Sequence, residues 1–270
     1  MKRFAWLLLA LPLLAACGAK APASGLEAIK KAGKIVLGTS ADFPPYEFHT
    51  TKDGVDAIVG FDIAIAAQIA KDLGVALEIK DMKFDGLLAA LDSGNIDLVI
   101  AGMTPTEERK KNTDFSEIYY RAEQGLIVRS ADAAKYASPE SLKSAMVGAQ
   151  KGAIQVGIAK TQIKGMADDK ADHPEVKELG KVADLVLELK NGKIEAVVVE
   201  TEVAKAYAAA NPDLAVARFV FPDAEGGSAV AVKKGSAELL SAVNATLARL
   251  AAEKAMDGFV TAAKAEMDKL

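Results

Sequence analysis

Residues 87–102 and 185–200 carry one pattern twice and align without a gap. Leu87 falls on Leu185, Leu91 on Leu189, Gly94 on Gly192, Ile96 on Ile194 and Val99 on Val197. Each copy reads as a helix ended by glycine at its C′ position, then a tight turn, then a short buried strand. Glycine serves at that point because it enters the left-handed region without a Cβ penalty. The two copies suggest an internal duplication, and so two similar α/β lobes rather than one large sheet.

The flanking residues extend the same plan. Ile35 to Thr39 reads as a strand. Phe61, Ile65, Ile69 and Leu73 recur at four-residue spacing, which predicts a helix closed by Gly74. Asp62 lies at its start, where the helix dipole favours a carboxylate. Ala76 to Lys80 is a strand, Leu87 to Leu91 a helix and Leu98 to Ile100 a strand. In the second half, Met146–Gln150 and Ala196–Val199 read as strands, and 154–163 and 182–189 as helices. Asp168 to Glu178 reads as a loop or frayed helix, with His173-Pro174 marking a turn. Such alternation predicts mostly parallel sheets flanked by helices. Ligands of these sheets bind beyond the carboxyl ends of the strands. Two lobes facing each other by those ends enclose a cleft. Ser40 to Phe43 and Ala101 to Thr104 then come from one lobe, and Gln150 to Ile154 and Glu200 from the other.

The loop Ala101-Gly102-Met103-Thr104-Pro105-Thr106-Glu107-Glu108-Arg109 carries the clearest chemistry. It follows a buried strand and leads into Thr106, a helix N-cap with two acids in the first turn. An arginine beside backbone N–H groups and a hydroxyl suits a bidentate grip on a carboxylate. With Asp114-Phe115-Ser116 and Tyr119-Tyr120 behind it, the loop resembles that of the bacterial solute-binding proteins that deliver polar amino acids to ABC importers. Gly38-Thr39-Ser40-Ala41-Asp42-Phe43-Pro44-Pro45-Tyr46, Gly60-Phe61-Asp62 and Phe84-Asp85-Gly86-Leu87 match the same family in order, over about residues 34–242. The resemblance implies an α/β two-lobe fold of the type II periplasmic-binding-protein kind, each lobe a mostly parallel sheet flanked by helices, with two hinge crossings. The crossings are placed near Arg121–Gln124 and Pro222–Gly227. Lobe 1 is then 25–121 plus 228–270, and lobe 2 is 125–222.

A free amino acid presents a carboxylate, an ammonium and a side chain, and buried charges must be paired and hydrogen-bonded. By family position Arg109 pairs with the α-carboxylate, helped by Ala101, Gly102 and Thr104. Gly102 lets the backbone approach closely. Glu200, where the family most often has aspartate, takes the ammonium. The family commonly has a hydroxyl residue after the glycine of Gly152-Ala153-Ile154; this chain has none, so a backbone N–H contact is expected and a hydroxyl contact is not. Phe43 and Phe84 match the aromatic pair that sandwiches the ligand side chain. Ser40 stands where several relatives carry an acid. Asp42, Asp62 and Glu200 still leave the cleft acidic, which leans toward arginine or lysine; Ser40 and Gln150 suit the amide of glutamine next.

The N-terminus points to export. Lys2 and Arg3, an apolar run from Phe4 to Leu14, and Leu14-Ala15-Ala16-Cys17 form a secretory signal whose end resembles a bacterial lipobox. The apolar run is shorter than the roughly 20 residues of a membrane span. Residues 1–16 are read as removed, Cys17 as acylated and 17–24 as a tether. Losing Lys2 and Arg3 takes 33 basic residues to 31 against 37 acidic ones, and the formal charge from −4 to −6. An acidic surface disfavours nucleic acid as a partner. A single cysteine allows no disulfide within the chain. His49 and His173 are the only histidines, so no metal cluster is expected, and no cofactor.

The expected partners are a free polar amino acid, a membrane permease and a lipid anchor, with the chain monomeric on the outer face of a membrane or in the periplasm. An enzyme of the same fold, dehydratase or peptidoglycan-active, needs a free acid or histidine beside a reacting bond, and here the acids have binding duties. A sensor domain of a membrane kinase is disfavoured because the chain reaches Leu270 without a span. Mass spectrometry of the membrane-derived protein is expected to find acyl chains on Cys17, and Cys17→Ser to leave the membrane fraction. An unmodified Cys17, or cleavage elsewhere, sinks the anchor.

Overall fold

The computed structural model describes residues 25–52, 54–221 and 226–267. The signal segment, the tether with Cys17, and residues 222–225 of the second expected crossing lie outside the described residues. The chain opens with α1 (Gly25–Ala32), β1 (Lys34–Thr39) and a small antiparallel sheet of β2 (Asp42–Phe43), β3 (Glu47–Lys52) and β4 (Val55–Val59). Then follow α2 (Phe61–Leu73), β5 (Ala76–Asp81), a 3₁₀ turn at Phe84–Gly86, α3 (Leu87–Asp92), β6 (Leu98–Val99), α4 (Glu107–Lys110) and β7 (Thr113–Tyr120). The helix expected from the Phe61 spacing ends where predicted: Gly74 is left-handed at φ 70° and its N–H bonds back to the last turn.

The second lobe holds β8 (Gln124–Arg129), β9 (Val147–Gln150), α5 (Ile154–Ile158), β10 (Val176–Leu179), α6 (Val182–Lys190), β11 (Ala196–Glu200), α7 (Thr201–Ala210) and β12 (Leu214–Val216). The chain returns through β13 (Ser228–Lys233) and closes with α8 (Ala237–Ala252) and α9 (Ala255–Met267). The helix expected over 154–163 is continuous, but its second half widens into a π turn at Ala159–Ile163. The loop expected over 168–178 is corrected at its end: Val176–Leu179 is a strand paired in parallel with β9. Only four residues long, half-buried and carrying Lys177 and Glu178, this edge strand has too little alternation to show in sequence.

The two large sheets share one plan. Their orders are β5-β1-β6-β13-β7 and β10-β9-β11-β8-β12. In each, the first three strands are parallel and the last two pairings antiparallel. The sheets are therefore mixed, because β13 and β8, which flank the passages between lobes, run against the βαβ strands. Beside the passages, Gln124 and Phe221 exchange two backbone hydrogen bonds, at 2.9 and 2.7 Å.

The repeat occupies equivalent places, with α3–β6 in one sheet and α6–β11 in the other. It also packs by one device. A Cβ on Gly38 of β1 would lie 2.3 Å from Ile96 Cδ1 and 3.2 Å from Leu87 Cδ2. A Cβ on Gly148 of β9 would lie 2.7 Å from Ile194 Cδ1 and 2.8 Å from Leu185 Cδ2. In both lobes a glycine in the central parallel strand admits the Leu and Ile of the repeat. Gly38→Ala is expected to lower stability by about 1–3 kcal/mol through overpacking. Ile96→Val, which removes the Cδ1, is expected to cost less in the Gly38→Ala background than alone. Urea unfolding of the four chains measures the coupling; strict additivity rules the contact out.

Candidate functional site

The strand ends of both lobes converge on one place. After β6, Ala101, Met103 and Thr104 are buried and Gly102 adopts φ +55°. A Cβ at Gly102 would also lie 3.1 Å from Phe43 Cε1, so both backbone and space call for glycine. Its N–H donates to Asp62 Oδ2 at 2.9 Å, at the start of α2. Thr106 caps α4, its hydroxyl accepting the Arg109 N–H at 3.3 Å. That short helix turns Arg109 back toward the loop. Nη1 donates to the Thr104 carbonyl at 2.6 Å, and Nη2 crosses between lobes to the Gly152 carbonyl at 2.8 Å. The guanidinium carbon lies 5.4 Å from the centre of the Phe84 ring.

From the second lobe, β9 delivers Gln150, and Gly152, at φ +79°, turns the chain into α5. Gln150 Nε2 reaches Ser40 Oγ at 3.5 Å and the Gly180 carbonyl at 3.3 Å. Phe43, Phe84, Ala101, Gly102, Thr104, Arg109, Gln150, Ala153 and Ile154 line one cavity between the lobes. All nine are candidates from the sequence. Gln155 joins them; it is buried and donates to Gln124 Oε1 at 2.7 Å. No pattern marked it, since a polar residue in a short apolar helix carries no periodic signal. The cavity measures about 10 Å³, on the order of one water. The lobes are closed on each other, and a molecule larger than water enters only when they part. An open groove of about 560 Å³ beside it shares Ala153 and Ile154 and leads to solvent.

The remaining candidates surround this cavity without lining it. Asp42 is a contact between lobes: Oδ2 accepts the Ala183 N–H in the first turn of α6 at 3.0 Å, and its carbonyl accepts the Tyr207 hydroxyl at 2.8 Å. Ser40 Oγ donates to Asp42 Oδ1 at 3.3 Å. Burial pushes the Asp42 carboxyl up, and the Ala183 N–H opposes it. Glu200, 2% exposed, ends β11 and accepts the Tyr46 hydroxyl from the other lobe. Tyr46 belongs to the motif at residues 38–46, yet its link to Glu200 is visible only in three dimensions. Asp62 lies beneath Gly102, where Oδ2 also accepts the Tyr119 hydroxyl at 2.9 Å. Burial raises its pKa to about 6 against those hydrogen bonds. Lys181 to Asp81 at 2.7 Å, Lys151 to Asp85 at 3.4 Å and Lys264 to Glu202 at 2.6 Å are further ion pairs between the lobes. Among the described residues, no group of three or more His, Cys, Asp or Glu is arranged to hold a metal ion.

The profile of the bacterial extracellular solute-binding proteins, family 3, matches residues 35–261. The chain is 41% identical to the arginine-binding extracellular protein ArtP of Bacillus subtilis over 92% of each chain. It is 33% identical to the ABC transporter glutamine-binding protein GlnH of the same organism, over 93% of this chain and 91% of that one. The structure of the amino acid ABC transporter substrate-binding protein AbpA from Streptococcus pneumoniae, bound to L-arginine, superposes with a TM-score of 0.82 at 41% identity, covering 89% of this chain and 98% of that one.

The cap that Asp42 places on α6 exists only while the lobes touch. Losing a capping carboxylate costs about 0.5–2 kcal/mol, so Asp42→Ala is expected to shift the protein toward open forms. Small-angle scattering of the free chain should show a larger radius of gyration than wild type. An unchanged radius means that the other contacts alone hold the lobes together.

Proposed function

The chain belongs to the bacterial extracellular solute-binding proteins, family 3, and from that footing we propose that it captures L-arginine between its lobes and presents it to an ABC permease. The observation that carries the reading is Arg109, which spans from the strand-end loop of one lobe to Gly152 of the other, over Phe84, at the one cavity where the sequence candidates meet. A carboxylate is a stronger acceptor than the two carbonyls that now hold the guanidinium. The ligand α-carboxylate takes their place when the lobes part and reclose. Gly102 contributes close approach rather than a donor, since its N–H is already given to Asp62.

Glu200 takes the ammonium, exchanging the Tyr46 hydroxyl for a charged partner. Phe43 and Phe84 hold the flat guanidinium of the ligand between their rings. Once Arg109 is neutralised by the carboxylate and Glu200 by the ammonium, Asp42 leaves the surroundings acidic, which favours a cationic side chain. The arginine-binding relatives agree with that charge pattern. The crossing near Arg121–Gln124 acts as a hinge. Cys17 anchors the chain, which works as a monomer outside the cytoplasm. No helix among the described residues is long and apolar enough to cross a membrane.

Calorimetry against the twenty amino acids tests the reading. Arginine is expected to bind tightest and lysine less tightly; glutamine binding tightest overturns the cationic preference, and no binding at all overturns the function. Arg109→Ala leaves the carboxylate without its charged partner. Truncating one member of a buried charge pair costs roughly 2–5 kcal/mol, so affinity is expected to fall by at least about 25-fold. Arg109→Lys should also bind poorly, because an ammonium cannot reproduce the bidentate fork. Near-native affinity in Arg109→Ala removes Arg109 from the carboxylate site.

A further inference from the structure

Glu47 has no role in the site described above, yet it is fully buried. It lies on β3, the strand that follows Tyr46, and neither of its carboxyl oxygens has a hydrogen-bond partner among the described donors. Its neighbour is Asp62, within hydrogen-bonding reach. Asp62 Oδ2 accepts both the Gly102 N–H and the Tyr119 hydroxyl. Asp62 Oδ1, also buried, has no donor. Three carboxyl oxygens are thus stranded side by side. The charged groups that act most strongly on Glu47 are Asp62 from α2, Asp42 from β2 and Glu200 from β11, all acids. Tyr46 and Tyr119 complete the surroundings as neutral hydroxyls. His49, the nearest titratable residue along β3, pairs with exposed Asp56.

Two adjacent buried carboxylates with no cation between them cannot both be ionised. One proton shared between them pairs a Glu47 oxygen with Asp62 Oδ1 and removes one of the two charges. It sits on Glu47, because two hydrogen bonds to Asp62 Oδ2 favour ionised Asp62 and none favours ionised Glu47. We propose that Glu47 is held un-ionised at neutral pH, donates its proton to Asp62 Oδ1, and thereby positions the Gly102 turn of the ligand-binding loop. The link to the site is short. Asp62 fixes the Gly102 amide, Gly102 packs against Phe43, and the loop continues into Thr104, whose carbonyl holds Arg109. Glu47 is a positioning residue, and its effect on affinity rests on the binding function proposed above.

The pH dependence follows with a definite sign. Burial first, then Asp62, pushes the Glu47 carboxyl far above the ordinary range. A folded acid with a raised pKa binds protons that the unfolded chain has released. Stability is then highest below the ordinary glutamate range and falls as pH rises through it. Glu47→Gln keeps a donor and cannot ionise, so its stability should fall less over the same window.

Three measurements on the whole chain test this. Infrared spectra at neutral pH should show the carbonyl stretch of an un-ionised carboxylic acid in wild type and not in Glu47→Gln. Hydrogen exchange of the Gly102 amide should stay slow in Glu47→Gln and become faster in Glu47→Leu, roughly 5- to 100-fold, as expected from stranding Asp62 Oδ1. Arginine affinity should follow the same order. A spectrum without the acid band, or Glu47→Gln exchanging as fast as Glu47→Leu, overturns the proposal. If Glu47→Leu does not fold, the infrared band and the Glu47→Gln melting profile against pH still decide. Those two readouts and the exchange rate need no ligand. A chain that binds no amino acid therefore refutes the transport reading while leaving the proton pair to be judged by itself.

Discussion

The lobes meet through polar groups that have been taken out of water, and every such group needs a partner. Asp42 from one lobe finds the Ala183 amide of the other, Tyr46 finds Glu200, and Arg109 finds the Gly152 carbonyl. None of these contacts survives separation of the lobes. These directional bonds therefore belong to the closed form alone. That suits a cleft that must open, because water can take over each partner as the lobes part. In the proposed complex, a ligand with one anion, one cation and a polar tail supplies the same kinds of partner at the same places.

The rigidity that those bonds require comes from the sheets. A binding loop is only as precise as the strands that present it. In each lobe a glycine of the central strand, Gly38 or Gly148, receives the Leu and Ile of the repeated segment. The helix is thereby locked against the strand whose end carries the site. One packing solution used twice puts residues 101–104 and the start of α7 at matching ends of matching sheets. The pseudo-symmetry stops at the chemistry: one strand end delivers a glycine turn and an arginine, the other a glutamate.

Acids concentrate behind the site rather than in it. Asp62 and Glu47 are buried beneath the Gly102 turn, and Glu200 is turned toward Tyr46. In the proposed complex a cationic ligand gains from that background field, and only Glu200 exchanges a hydrogen-bond partner. The same field raises the cost of leaving two neighbouring carboxyls ionised, which places the Glu47 proton at the centre of the loop's support.

By itself the sequence determined the elements and the meeting place. Periodicity and glycine located α2 and its cap at Gly74, the repeat located α3–β6 and α6–β11, and the strand ends nominated seven residues that line one cavity, to which the family resemblance added Phe84 and Arg109. Those signals are local, set by spacing along one helix or strand. Tertiary structure decided what spacing cannot encode. Half-buried β10 and the antiparallel strands beside the passages depend on neighbours far away in the chain. So do the roles of the acids: Asp42 caps a helix of the other lobe, Asp62 holds Gly102 from below, and Glu47 and Gln155 are buried polar groups with no pattern around them. Their partners lie on other elements, and only folding brings the donor to the acceptor.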